Sequence, residues 1–268
     1  TTISQDIINI KENLRAMPHH GIGYGALYGY GMSDLPQICF NYLGQLDRKL
    51  TDTEEDKWYL SNESSGISVN PANEDNNIIN INGAVIEGKV HFAIASKLGC
   101  ENTDKFSESF KQELLTVINH TTQQTRSYLT PSDVDNIISE EYLNQIQQKE
   151  IEAVFLANSL QQGFIYHYLN QGTIDDAYLI QLIFEYHNQI DVTILERSWN
   201  LAVKKYPSLR LRFAWDNQLV QIIDKEALMD FRYIDRPKTN LQELIAKDRS
   251  EHFDLNKGNL IRITIIKQ

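Results

Sequence analysis

A change of period within one stretch constrains the fold more than any other feature. From residue 79 apolar side chains alternate, with Ile79, Ile81 and Val85 ahead of Glu87-Gly88 and Val90, Phe92 and Ile94 beyond it. Two such runs joined by a short glycine-containing connection predict a hairpin with one buried face. From residue 103 the spacing becomes three and four, through Phe106, Phe110, Leu114, Val117 and Ile118. That pattern predicts an amphipathic helix to about residue 127, capped near Asn102 or Thr103, whose apolar stripe packs on the hairpin.

The same reading extends along the chain. Ile7, Ile8, Ile10 and Leu14 predict a helix ended by Pro18 and a glycine-rich loop, and Phe40 to Gln45 a strand that delivers the adjacent Asn41 and Tyr42 into a site. Residues 46–76 are polar, with Trp58 and Tyr59 the only large anchors, and read as a surface excursion. The Gln- and Glu-rich run Ser139 to Glu152 has the composition of a linker. Beyond it, Ser159 and Gln162 suit a capping box for a helix carrying Phe164, Ile165, Tyr168 and Leu169. Tyr178, Ile180, Leu182, Phe184 and Tyr186 alternate as a half-buried strand should. A helix bearing Leu195, Trp199, Ala202, Val203 and Tyr206 stops at Pro207, and a hairpin turns at Asp216-Asn217. A last helix starts near Leu241, capped by Asn240 with Glu243 in its first turn, and leads to a strand over Leu260 to Ile266. Two successive mixed segments with mostly antiparallel strands make the fold class α+β.

Composition narrows the functional classes. A net charge of −11 disfavours a nucleic-acid partner, since phosphate binding needs clustered Lys and Arg. Cys39 and Cys100 have no CxxC spacing, so neither a metal site nor a disulfide is indicated and buried thiols are expected. No apolar run approaches membrane-spanning length and no signal pattern opens the sequence, so no membrane partner and a cytoplasmic location are expected. The sequons at Asn62 and Asn119 then carry no meaning.

Among motifs, His19-His20 is a natural general-base pair, but paired histidines are more often ordinary loop residues. The run Gly21, Gly23, Ala26 mimics a dinucleotide fingerprint but follows a helix and a proline instead of a strand. No Ser-His-Asp order, GxxxxGK or HExxH occurs. His167 and His187 sit in aromatic surroundings as core or edge residues, and Glu54-Glu55-Asp56 reads as solvated surface. Residue chemistry alone leads to an α+β protein with a polar-lined strand.

Resemblance adds a function. Lys11-Glu12-Asn13-Leu14-Arg15, Pro18 with Gly21-Ile22-Gly23-Tyr24-Gly25, Phe40-Asn41-Tyr42-Leu43-Gly44-Gln45 and Tyr128-Leu129-Thr130-Pro131-Ser132-Asp133 occur in this order. In that order they make residues 5 to 133 resemble the C-terminal part of an epimerization domain of a nonribosomal peptide synthetase. Ser159-Leu160-Gln161-Gln162-Gly163 with His167, then Pro207 to Phe213, then Phe253-Asp254-Leu255 with Gly258, Leu260 and Arg262, are similar to the start of a condensation domain that accepts a D-configured donor. The resemblance implies an epimerization-type lobe over 1–133, a linker over 134–152 and a condensation-type lobe over 153–268, the two lobes like chloramphenicol acetyltransferase.

It also implies roles. Asn41 and Tyr42 would face the reaction centre, and Gly23, Tyr24 and Gln161 would touch substrate. No cofactor is expected to bind directly; the substrate rides on the phosphopantetheine of a peptidyl carrier protein domain, and the other partners are neighbouring synthetase domains. Both domain types use HHxxxDG with the second His as base, and this sequence has none: after His19-His20, Tyr24 stands where the motif needs Asp. The isolated chain is therefore expected to be inactive. A non-catalytic interdomain scaffold with a carrier-docking surface is the alternative, and an acyltransferase with a displaced site a third reading.

Overall fold

The computed structural model describes residues 2–29, 36–45, 63, 66–67, 70, 72–73, 77–86, 88–170, 177–235 and 239–267. Most of the expected excursion over 46–76, including Trp58 and Tyr59, lies outside them, as do Glu54-Glu55-Asp56, Asn62 and Glu87. The chain divides into two compact units, one of residues 17–124 and one that joins residues 1–16 to 125–268.

In the unit of residues 17–124, the predicted hairpin forms as β2 (Ile79–Ile86) and β3 (Lys89–Ser96), with Gly88 at φ 72° in the turn. Strand β1 (Ile38–Gln45) lies parallel to β2, from Ile38 opposite Ile79 to Tyr42 opposite Gly83, and the register shifts between Tyr42 and Gln45. Ile79, Ile81 and Ala84 are buried. The following helix is Cys100–Thr122, which starts and stops earlier than the periodicity indicated. Its N-cap is Gly99, because the Asn102 and Thr103 side chains turn back to donate to the Leu98 and Gly99 carbonyls at 3.1 and 2.8 Å. The ring of Phe92 meets Phe40 at 6.1 Å and Phe110 at 5.1 Å, so one aromatic row ties the sheet to the helix as expected. The glycine-rich stretch is more ordered than a loop: a 3-10 turn spans Pro18–Gly21 and a short helix Tyr24–Tyr28. Both cysteines are exposed, which corrects the expectation of buried thiols. Their apolar neighbours Ile38, Phe40 and Leu98 are themselves exposed, so local composition misjudged the environment.

Gly83 is required by packing. A Cβ built there would lie 2.3 Å from Phe92 Cε1. Gly83→Ala is expected to push the ring out of its row and lower the stability of this unit by about 1–3 kcal/mol, measured by thermal unfolding.

The other unit is built on a three-stranded antiparallel sheet of order β4-β6-β5, from β4 (Ile151–Leu156), β5 (Leu211–Ala214) and β6 (Val220–Asp224). Both faces are covered. One buries Val154, Ala214, Val220 and Ile222 against Val134, Ile138, Tyr142, Leu143 and Ile146. The other places Phe213 against Ala157 and Ile165, with Trp215, Leu219 and Leu255 packed around them. The run expected from composition to be a linker is thus folded: Glu140–Ile146 is a helix, α4, with Leu143 only 1% exposed. Its polar letters fall on the outer face, and the few apolar ones carry the packing. The helix Ser159–Leu169, α5, begins one residue earlier than the capping box proposed, with Asn158 as N-cap and Gln161 as its reciprocal partner.

The helix Val192–Lys205 forms as predicted, and so does Leu241–Ser250, α7, whose cap Asn240 accepts from the Gln242 N–H. Unanticipated β7 (Asp230–Asp235) pairs in parallel with β8 (Arg262–Lys267). Residues 178–186 form no strand, which corrects the alternation reading: Ile180 is 80% and Phe184 85% exposed, and neither is in a ladder. Alternation marks a segment able to pair, but pairing needs a facing edge. Gln181 is anchored by donating to the Ile245 carbonyl and to Asp248, and the Tyr178 ring packs on Phe164 at 4.7 Å and His167 at 5.3 Å.

The first helix, α1 (Ile3–Ala16), is fastened to the 3-10 turn Pro131–Val134 by its charged face. Glu12 accepts from the Ser132 hydroxyl at 2.7 Å and the Ser132 N–H at 3.1 Å, with the Thr130 hydroxyl 2.5 Å away. Asp133 pairs with Lys11 and, at 2.5 Å, with Arg15, and accepts from the Thr130 N–H. Partial burial pushes both carboxyl groups up. It is outweighed at Asp133 by Lys11, the Thr130 N–H and Arg15, and at Glu12 by Thr130, Ser132 and Lys11, so both lie below their ordinary values of 3.8 and 4.5. Their stabilisation is therefore complete above about pH 5 and lost as the pH falls through those ordinary values towards the lowered ones. Acid titration of α1 amide exchange should show it loosening below pH 4, before β6 does.

Candidate functional site

The strand bearing Asn41 and Tyr42 exists as predicted, and both side chains are exposed. Successive strand residues point to opposite faces, so the two reach opposite sides of β1. Asn41 Nδ2 donates to Asn82 Oδ1 of β2 at 3.4 Å, and Tyr42 is half exposed opposite Gly83. Gly23 is the N-cap of the short helix that Tyr24 opens, and the Tyr24 ring lies 4.9 Å from that of Tyr28. His19 and His20 both adopt left-handed backbone, φ 50° and 55°, in the preceding turn, a conformation that L residues hold at a cost.

Gln161 belongs to the other unit. Its Oε1 accepts from the Asn158 N–H at 2.9 Å and its Nε2 donates to Gln221 Oε1 at 2.8 Å. The amide already joins α5 to β6, which leaves one Nε2–H and one Oε1 lone pair for a further partner. A cleft of ≈ 280 Å³ in this unit is lined by Gln162, and not Gln161, with Leu156, Ala157, Trp215, Asn217 and Leu219. The Trp215 ring is fixed from behind by Tyr168 at 5.6 Å. Burial and the nearby Asp254 carboxylate push the Tyr168 phenol up.

Motif reading missed the buried charges of this unit. Arg212 donates from Nε to both oxygens of Asp224, at 2.9 and 3.1 Å, and from a terminal nitrogen to the Ile146 carbonyl at 2.8 Å. Arg210 donates to Glu152 at 2.8 Å and to the Asp224 and Lys225 carbonyls. Arg262 bonds Asp230 at 2.9 Å across the parallel pair and lies over the Phe253 ring at 5.0 Å. Leu209-Arg210-Leu211-Arg212-Phe213 alternates as a half-exposed strand does, so nothing local marked the two arginines as buried and in need of carboxylates.

The Condensation domain family model matches residues 151–268, which hold both faces of the three-stranded sheet and the buried arginines. Bacitracin synthase 3 of Bacillus licheniformis is 31% identical over 287 residues, covering 99% of this chain and 4% of that protein. The N-(5-amino-5-carboxypentanoyl)-L-cysteinyl-D-valine synthase of Amycolatopsis lactamdurans is 40% identical over 122 residues, covering 42% of this chain and 3% of that protein. A solved cyclization-docking bidomain of the EpoB NRPS from Sorangium cellulosum is 14% identical, covering 70% of this chain and 35% of that one at a TM-score of 0.31. Residues 151–268 are a condensation-type segment. The chain is similar to parts of these synthetases and spans 4% of the length of the first and 3% of the second.

Proposed function

We propose that this chain is part of a nonribosomal peptide synthetase that epimerizes a carrier-bound aminoacyl or peptidyl thioester and then condenses the D-configured product with the next residue. Residues 1–133 supply one lobe of the epimerization-type domain and 153–268 one lobe of the condensation-type domain, with 134–152 between them. The lobes are like chloramphenicol acetyltransferase. The observation that carries this reading is the exposed pair Asn41 and Tyr42 on β1, in a stretch of sequence that resembles the reaction-centre strand of an epimerization domain.

The chemistry asks little of these residues beyond hydrogen bonding. A thioester acidifies its α-proton, and removing that proton develops negative charge on the thioester oxygen. The Tyr42 hydroxyl or the Asn41 amide can donate to that oxygen, lowering the barrier to enolate formation. The proton itself needs a base, which the resemblance assigns to the second His of HHxxxDG, a motif that this sequence lacks. Gly23, Tyr24 and Gln161 are the proposed substrate contacts. The substrate arrives on the phosphopantetheine of a peptidyl carrier protein domain, in the cytoplasm. Among the described residues, no helix is long and apolar enough to cross a membrane.

Two measurements test this. The purified chain, given a loaded carrier protein in deuterated buffer, is expected to show no α-proton exchange above background. In a full synthetase carrying this segment, Tyr42→Phe or Asn41→Ala should slow exchange by roughly 10²-fold, the effect of losing one oxyanion donor. Unchanged exchange in both variants would remove the strand from the reaction centre.

A further inference from the structure

We infer that the condensation-type unit is founded upstream of residue 151, where its family match begins: residues 125–150 are a structural part of it, and the charged face of α1 holds them in place. Three independent sets of contacts support this, and all lie within one compact unit.

The first is apolar. Val134, Ile138, Tyr142, Leu143 and Ile146 make up half of the buried cluster on one sheet face, opposite Ile151, Val154, Ala214, Val220 and Ile222. Without them that face would meet water. The second is polar. The Ile146 carbonyl accepts the Arg212 guanidinium at 2.8 Å, so the buried arginine of the condensation-type sheet completes its bonds on the upstream helix. Gln147 bonds Leu129 from both ends of its amide, Arg126 donates to the Gln147 and Gln148 carbonyls, and Glu150 takes Lys225 at 2.7 Å together with the Ser127 hydroxyl. Lys225 and Ser127 hold the Glu150 carboxyl down at about 2. The third is the pairing of Lys11, Glu12 and Arg15 with Thr130, Ser132 and Asp133.

The two stretches that meet there, Lys11 to Arg15 and Thr130 to Asp133, are joined by bonds that span 117 to 122 residues of sequence. Neither lies within the family match. Their contact gives both a role that substrate chemistry does not require: they hold residues 125–150 against the condensation-type sheet. This holds whether or not the upstream segment epimerizes.

Hydrogen exchange of the full chain at pH 7, read by mass spectrometry, tests the inference. The amides of 140–147 should exchange at least 100-fold more slowly than those of the exposed stretch 180–187, and on the same scale as β4. Leu143→Ala should speed exchange at least tenfold in β4 and β6 as well as in α4. Lys11→Met with Arg15→Met, a surface change that leaves every buried contact intact, should speed exchange at least fivefold in 3–16 and 130–138. Exchange of 140–147 as fast as that of 180–187 in the unmodified chain would overturn the inference. So would a Leu143→Ala effect confined to α4, or unchanged exchange in 3–16 and 130–138 after both surface changes.

Discussion

Arg212→Leu is expected to lower the stability of the condensation-type unit by about 3–5 kcal/mol, because it strips a buried carboxylate of its partner. The Arg212 and Asp224 side chains are 11% and 6% exposed, so water cannot replace what is lost. The same change leaves the Ile146 carbonyl without its donor. In urea the midpoint should fall by more than about 1 M, given slopes of about 1–3 kcal/mol/M, with the slope itself unchanged. Asp224→Leu alone should cost a similar amount. The double change to leucine should recover part of the loss, since an apolar pair of similar volume replaces a buried ion pair with little penalty. Full additivity of the two losses would show that the residues do not act as a pair.

The second large effect lies on the opposite face of the same strand. Phe213 is 2% exposed and fills the space between Ala157, Ile165 and Leu255, and its N–H donates to the Leu255 carbonyl at 2.8 Å. Phe213→Ala should cost about 3–5 kcal/mol through the cavity it leaves. Phe213→Leu should recover most of that, because the surrounding side chains can close on a branched aliphatic group. Urea unfolding of both variants decides the matter: equal losses would mean that shape, not volume, fixes this site.

Elements with a strong period and a local partner were legible in the sequence. The hairpin at Ile79 to Ser96 and the helix after it needed only each other, and the helix Val192–Lys205 was bounded by Asp191 and Pro207. What failed depended on partners distant in sequence. Tyr178 to Tyr186 alternates as a strand does, yet its pattern says nothing of whether an edge is free to receive it. The run around Leu143 was read from its Gln and Glu, although three apolar residues at helical spacing, Tyr142, Leu143 and Ile146, sufficed to bury one face. Strand β7 went unseen although Asp230 and Arg232 alternate with Phe231 and Tyr233, because its partner β8 lies 32 residues on and only there do those charges meet Arg262.

Of the candidate site, the strand placing Asn41 and Tyr42 was foreseen from its residues, and their suggested role from resemblance. The double use of Gln161, in a helix cap and in a bond to β6, was not, since Gln221 lies sixty residues away and nothing local announces it.

Strands β7 and β8 are parallel neighbours with α7 between them, and this has a consequence in time. The antiparallel β5–β6 pair can close within microseconds once both strands have left the ribosome. Parallel strands need a crossover first. A growing chain must therefore carry the bare edge of β7 until α7 and β8 have followed, on the order of seconds at ordinary elongation rates. In that interval Asp230 has no Arg262 to meet, and a chaperone that binds exposed strand edges has its opening.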